Sequence, residues 1–323
     1  MTVLCGKGVR RLRVLLAAFV VTALLTVVPS ATARPGLPPP APADLYDMVR
    51  RDLGTLPDRG YTRPGEDVRA ALRTGLDRVV ARDWLAVDDA LRPHHYSGTT
   101  QADSPSGVLF GRLFPLDHPN AGRGAAYVMG EGTSVAVHVP HPVCEPGVDR
   151  LGVEVARGAK DSVLLVAGAK RFAGGPGAGC AHPGKEPLPV DCEAASDPWV
   201  CDETVFHTWS EYLRGRSLPA VSLVGLATDR AVADVEVDVP DGSASSFGEA
   251  IAVSAEQAGF TVCRSWVDTC PGADEGSRSR QALAYGSTRA AFAAVQVRQS
   301  VLDNAEELVQ VAKAVAAAAG AHH

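Results

Sequence analysis

Residues 134–145, SVAVHVPHPVCE, decide how this chain reads. Positions 134–139 alternate with the two-residue period of a β-strand. Pro140 and Pro142 then stop sheet pairing, because each lacks a backbone N–H and fixes its own φ. His141 and Glu145 therefore fall just past a strand end, the edge at which open α/β sheets hold their sites. A histidine and a carboxylate so placed are ligand types for a divalent metal such as zinc. The alternative is a rim histidine that only makes a hydrogen bond, and the segment alone leaves both readings open.

Working outward from that strand, residues 125–129, the turn Gly130-Glu131-Gly132 and residues 134–139 have the pattern of a hairpin. Residues 147–157, 204–213 and 247–258 read as helices, and a last helix runs from 301 to about 319. Residues 162–168, 219–227 and 291–297 are apolar runs that suit buried strands, and 233–239 alternates as an edge strand. Strands alternating with helices predict an α/β domain over 125–320, a single mixed or mostly parallel sheet flanked by helices. Ahead of it, Asp44 is placed to cap a helix running to about Leu56, and 66–91 reads as one long or two broken helices. Residues 44–124 are thus expected to be an N-terminal helical lead-in, preceded by a Pro-rich linker, RPGLPPPAPA, at 34–43.

Residues 1–33 pair a basic start (Lys7, Arg10, Arg11, Arg13) with an apolar run at 14–28 and the small residues Ala31-Thr32-Ala33. That is the pattern of a secretory signal peptide cut before Arg34. The apolar run holds 15 residues, short of the roughly 20 that span a bilayer. A secreted, extracellular product with no membrane association after cleavage is expected. Losing four basic residues and no acidic one moves the formal net charge from −6 to −10. Such an acidic chain is poorly suited to polyanions, so nucleic acid is not an expected partner.

Cys5 leaves with the signal, and six cysteines remain. An even count in an oxidising compartment predicts three disulfides. Cys263 with Cys270 is the expected short loop, around Trp266 and Asp268. Cys144, Cys180, Cys192 and Cys201 would pair in an order the sequence leaves open, tying the Gly- and Pro-rich stretch between Phe172 and Asp202 to the strand end. A G-x-S-x-G elbow, a P-loop and an H-E-x-x-H motif do not occur, which removes the common serine-hydrolase, nucleotide and zincin signatures.

Taken in order, PHPVCE (140–145), LLVAGAKR (164–171), VSLVG (221–225) and AVQVR (294–298) resemble the zinc-peptidase-like α/β amidohydrolases. That group contains N-formylglutamate amidohydrolase, poly-γ-glutamate hydrolases and zinc carboxypeptidases, and the resemblance spans roughly residues 125–319. It implies that His141 and Glu145 hold zinc. It also implies that Arg171 holds a substrate carboxylate, which a planar guanidinium pairs bidentately. The chain departs from the pattern twice: relatives carry a His before Gly where this chain has Val224-Gly225, and a general-base Glu where it has Gln296. His182 or His207 would have to supply a third ligand. The resemblance thus implies a degenerate member that binds a carboxylate-bearing peptide or cell-wall fragment, or an active metal-dependent amidohydrolase or peptidase. A secreted structural or interaction protein is the third reading.

Overall fold

The computed structural model describes residues 42–54, 64–116, 124–142, 144–159, 161–168, 204–240, 242–272, 279–286 and 291–321. The expected signal, and all of the linker except Pro42 and Ala43, lie outside them. The strands are β1 (Pro42–Ala43), β2 (Tyr96–Asp103), β3 (Leu109–Pro115), β4 (Ala125–Met129), β5 (Val135–Val139), β6 (Ser162–Val166), β7 (Ala220–Leu226), β8 (Val235–Asp238), β9 (Val262–Arg264) and β10 (Phe292–Arg298). They form one mixed sheet in the order β1-β2-β3-β4-β6-β5-β7-β10-β8-β9.

Helices cover both faces. α1 (Leu45–Leu53), α4 (Val148–Gly158), α6 (Ser246–Gln257) and α9 (Ala305–Gly320) pack on one side. α2 (Glu66–Val80), α3 (Trp84–Leu91), α5 (Val205–Gly215) and α7 (Arg280–Gly286) pack on the other. Strand alternation makes the two cores: along β5, Val135, Val137 and Val139 enter the first and Ala136 the second. Helix starts follow local chemistry, with Asp44 accepting from the N–H groups of Tyr46 and Asp47, Thr204 from His207 and Ser245 from Gly248. The last helix is broken: α8 (Gln299–Asp303) precedes Asn304, whose side chain caps α9.

Three expectations are corrected. β4 and β5 are not a hairpin, because β6 lies between them, antiparallel to β4 and parallel to β5. The intervening turn is held instead by Asp161, whose Oδ1 accepts from the N–H groups of Glu131 (2.7 Å) and Gly132 (2.9 Å). The lead-in is not purely helical: β2 and β3 pair antiparallel and join the same sheet. Buried Asp103 on β2 fastens them to α4 by accepting from Arg157 at 2.9 and 3.0 Å. Finally, β8 is not an edge, since β9 runs parallel along its outer side.

Candidate functional site

β5, β7 and β10 run parallel, so their carboxyl ends open on one edge of the sheet. There a cavity of about 350 Å³ is lined by Cys144, Glu145, Val224, Arg230, Gln296 and Gln299, among others. After Pro140 the chain turns tightly: the Glu145 N–H donates to the His141 carbonyl (3.3 Å) and the Val148 N–H to that of Glu145 (3.2 Å), which leads straight into α4. The turn sets the two side chains together, with His141 Nδ1 2.9 Å from Glu145 Oε1. Glu145 Oε2 accepts the Gly225 N–H at 2.8 Å. One carboxylate therefore fastens the exit of β5 to the end of β7. The approach at 225 is tight, since a Cβ there would lie 3.1 Å from that of Glu145 and 3.3 Å from Leu302 Cδ1. His141 is 2 % exposed, a buried group and not a rim residue.

A zinc centre takes at least three protein donors arranged around the ion. Here both Glu145 oxygens are engaged, and the adjoining wall offers Val224 and the amide of Gln296. Among the described residues no three His, Cys, Asp or Glu side chains gather to hold an ion. The described residues do not fit zinc. His182 and Arg171 lie outside the described residues. His207, on α5, is 3 % exposed and turned toward Gln281 and Glu211, with Nδ1 3.4 Å from Gln281 Nε2 and Nε2 3.5 Å from Glu211 Oε1. The hydrogen bond from His207 holds the Glu211 carboxyl below its usual range. Nearby, His138 of β5 is fully buried against Phe206, Tyr285 and Phe292 at ring-centroid distances of 5.4, 6.2 and 6.4 Å. Neither of its ring nitrogens has a hydrogen-bond partner among the described residues. Burial first, and the charge of His207 second, push its pKa down to about 3.

The expected Cys263–Cys270 disulfide is present, with Cα atoms 5.9 Å apart. Among the described residues Cys144 is exposed and has no disulfide partner, and the expected pairing of Cys144, Cys180, Cys192 and Cys201 turns on residues outside them. Cys144 sits on the Pro-flanked turn facing solvent, and the other described cysteines are bonded to each other. Cys180, Cys192 and Cys201 lie outside the described residues.

A second polar cluster went unread in the sequence. Val224, Gln296, Glu236 and Cys263 occupy one register row across β7, β10, β8 and β9. Glu236 is 1 % exposed and accepts the N–H groups of Gly272 (2.9 Å) and Val232 (3.3 Å). Gln296 Nε2 donates to the Gly272 carbonyl at 2.5 Å. Gly272 is thus gripped at both of its peptide groups. The only local signal was an acidic residue in an alternating strand, which reads as solvent-facing until β9 is placed outside it. Arg230 gave no signal beyond being a cation shortly after a strand.

Compared by sequence, the chain matches no family model and no curated protein. By structure it is similar to N-formylglutamate amidohydrolase from Ralstonia eutropha JMP134, with 14 % identity, 61 % of this chain and 96 % of the other covered, and a TM-score of 0.38. It is similar to a bacteriophage poly-γ-glutamate hydrolase, with 14 % identity, coverage of 61 % and 87 %, and a TM-score of 0.39. It is also similar to an N-acetylmuramoyl-L-alanine amidase of Nostoc punctiforme, with 12 % identity, coverage of 58 % and 95 %, and a TM-score of 0.32.

Proposed function

We propose that this is an exported protein whose cavity binds a carboxylate-bearing ligand, a peptide or cell-wall fragment, without hydrolysing it. The observation that carries the reading is the double engagement of Glu145 with His141 and Gly225. A carboxylate spent on that latch is not available to a metal, and Val224 and Gln296 supply neither a ligand nor a proton acceptor for an attacking water. Anion binding is favoured by the Arg230 guanidinium in the lining and by the start of α4 beside Glu145, where the helix dipole is positive. The pattern at 1–33 supports export, and among the described residues no helix is long and apolar enough to cross a membrane.

Calorimetric titration with a γ-glutamyl dipeptide and with a muramyl peptide tests this. At least one should bind and be recovered intact, and Arg230→Ala should weaken it by about tenfold, the loss of one charge-assisted hydrogen bond. Cleavage of either ligand by the zinc-supplemented protein would overturn the proposal.

A further inference from the structure

We propose that the Cys263–Cys270 disulfide is a redox-opened tie: closed, it holds residues 265–272 as a strap sealing one wall of the cleft, and a dithiol that reduces it releases the strap. The sulfur of Cys263 stands at the outer end of the register row that runs through Glu236 and Gln296 to Val224. From Cys263 the chain leaves the sheet edge, turns through exposed Val267 and Asp268, and returns at Cys270, two residues before Gly272. Gly272 then sits against Gln296, a residue of the cavity lining, so closely that a Cβ would fall 1.8 Å from Gln296 Oε1.

Among the described residues, backbone hydrogen bonds hold the start of the strap. The Ser265 N–H donates to the Val237 carbonyl (3.0 Å), and Val267 and Asp268 turn back onto the Arg264 carbonyl (3.0 and 2.7 Å). Its outgoing limb is seated by Trp266, which packs on the main core, whereas the returning limb meets at its base a small cluster of Ala233 with the two cysteines themselves. The covalent link is what keeps the returning limb over Gln296 and Glu236, since it shortens the span the loop can explore. Without it, the bonds to Gly272 compete with the entropy of a freed segment.

The chemistry balances with a dithiol. Its thiolate attacks one sulfur of the pair, the other leaves as a thiolate and takes up a proton, and the second thiol closes on the mixed disulfide. The products are a cyclic disulfide and two cysteine thiols: two electrons pass from the dithiol to the protein. Release of Gly272 removes a backbone donor from Glu236 Oε2 and lets the carboxylate, the register partner of Gln296, face the cleft. A negative charge added there opposes the anionic ligand, and this consequence rests on the function proposed above.

The test is hydrogen exchange read by mass spectrometry on the protein, with and without dithiothreitol and in Cys263→Ser/Cys270→Ser. Exchange at 265–272 and 292–298 should quicken at least tenfold in the reduced protein and in the double variant, while α4 and α9 stay protected. Gly272→Ala, which displaces Gln296 with the disulfide intact, should quicken the same two segments. Unchanged exchange at 265–272 after confirmed reduction overturns the tie, and so does loss of protection throughout the molecule, which would make the disulfide a global staple. Calorimetry with the γ-glutamyl dipeptide in both redox states is read alongside. Weaker binding on reduction supports the charge argument, equal binding with a released strap overturns that consequence alone, and no binding in either state overturns the proposed function and leaves the exchange result standing.

Discussion

Glu145 lines the cleft and Glu236 lies beside its wall as the register partner of Gln296, and each accepts a backbone N–H from a residue far away in sequence, Gly225 and Gly272 respectively. They differ in what balances them. Glu145 keeps 16 % side-chain exposure and shares its charge with His141 inside a single turn. Glu236 is 1 % exposed and, among the described residues, is met by backbone N–H groups alone, one of them on a strap fixed by a disulfide. A buried carboxylate with a charged or polarisable neighbour can tolerate a change at the site. One that relies on peptide groups is an anchor whose removal strands every donor it served.

The largest effect should therefore fall at Glu236. Glu236→Ala leaves the buried Gly272 N–H without an acceptor, removes that of the exposed Val232 as well, and should destabilise the fold by about 2–3 kcal/mol in urea unfolding. Glu145→Ala, which leaves the Gly225 N–H open to the cavity, should cost about 1–2 kcal/mol. The reverse ranking would break the comparison.

Histidines sharpen the same contrast, since His141 has Glu145 while His138, three residues earlier on β5, has no hydrogen-bond partner among the described residues. With a folded pKa of about 3 and an unfolded value near 6.5, His138 takes up its proton first in the unfolded chain. Its contribution is fully present above about pH 6.5 and is lost as pH falls toward 3, at up to ~1.4 kcal/mol per pH unit. His138→Leu should leave stability at pH 7.5 within about 1.5 kcal/mol and flatten the decline between pH 6.5 and 4. An acid profile identical to that of the parent protein would show that another group sets it.

Gly225→Ala comes next, at about 1–3 kcal/mol, because the new methyl group presses on Glu145 and Leu302. Cys144→Ser should be the mildest change, within about 0.5 kcal/mol for an exposed thiol. Maleimide labelling of the folded protein, followed by peptide mapping, should modify Cys144. Protection of that thiol would support the expected pairing of Cys144.

Much of the framework was legible because it is written locally. The alternation through Val139, the prolines around His141 and the side-chain caps at Asp44 and Thr204 each act within a few residues. Strand order was not legible: Asp161 captures the turn at Glu131 and Gly132 from 30 and 29 residues away, and no period in the sequence reports that bond. At the site, the spacing of His141 and Glu145 puts the two within one turn, yet their burial and the capture of Gly225 depend on β7 arriving alongside. Glu236 escaped notice for the same reason, since alternation in β8 marks a face without saying what covers it. Its cover comes from β9 and the strap.

Zinc content tests the central claim most directly. The protein and its Glu145→Gln variant are dialysed against zinc, then against metal-free buffer, and measured by plasma mass spectrometry against protein concentration. With Glu145 engaged by His141 and Gly225, both should hold far less than one zinc per chain and melt at the same temperature with or without chelator. One zinc per chain in the parent protein, lost in Glu145→Gln, would contradict the account.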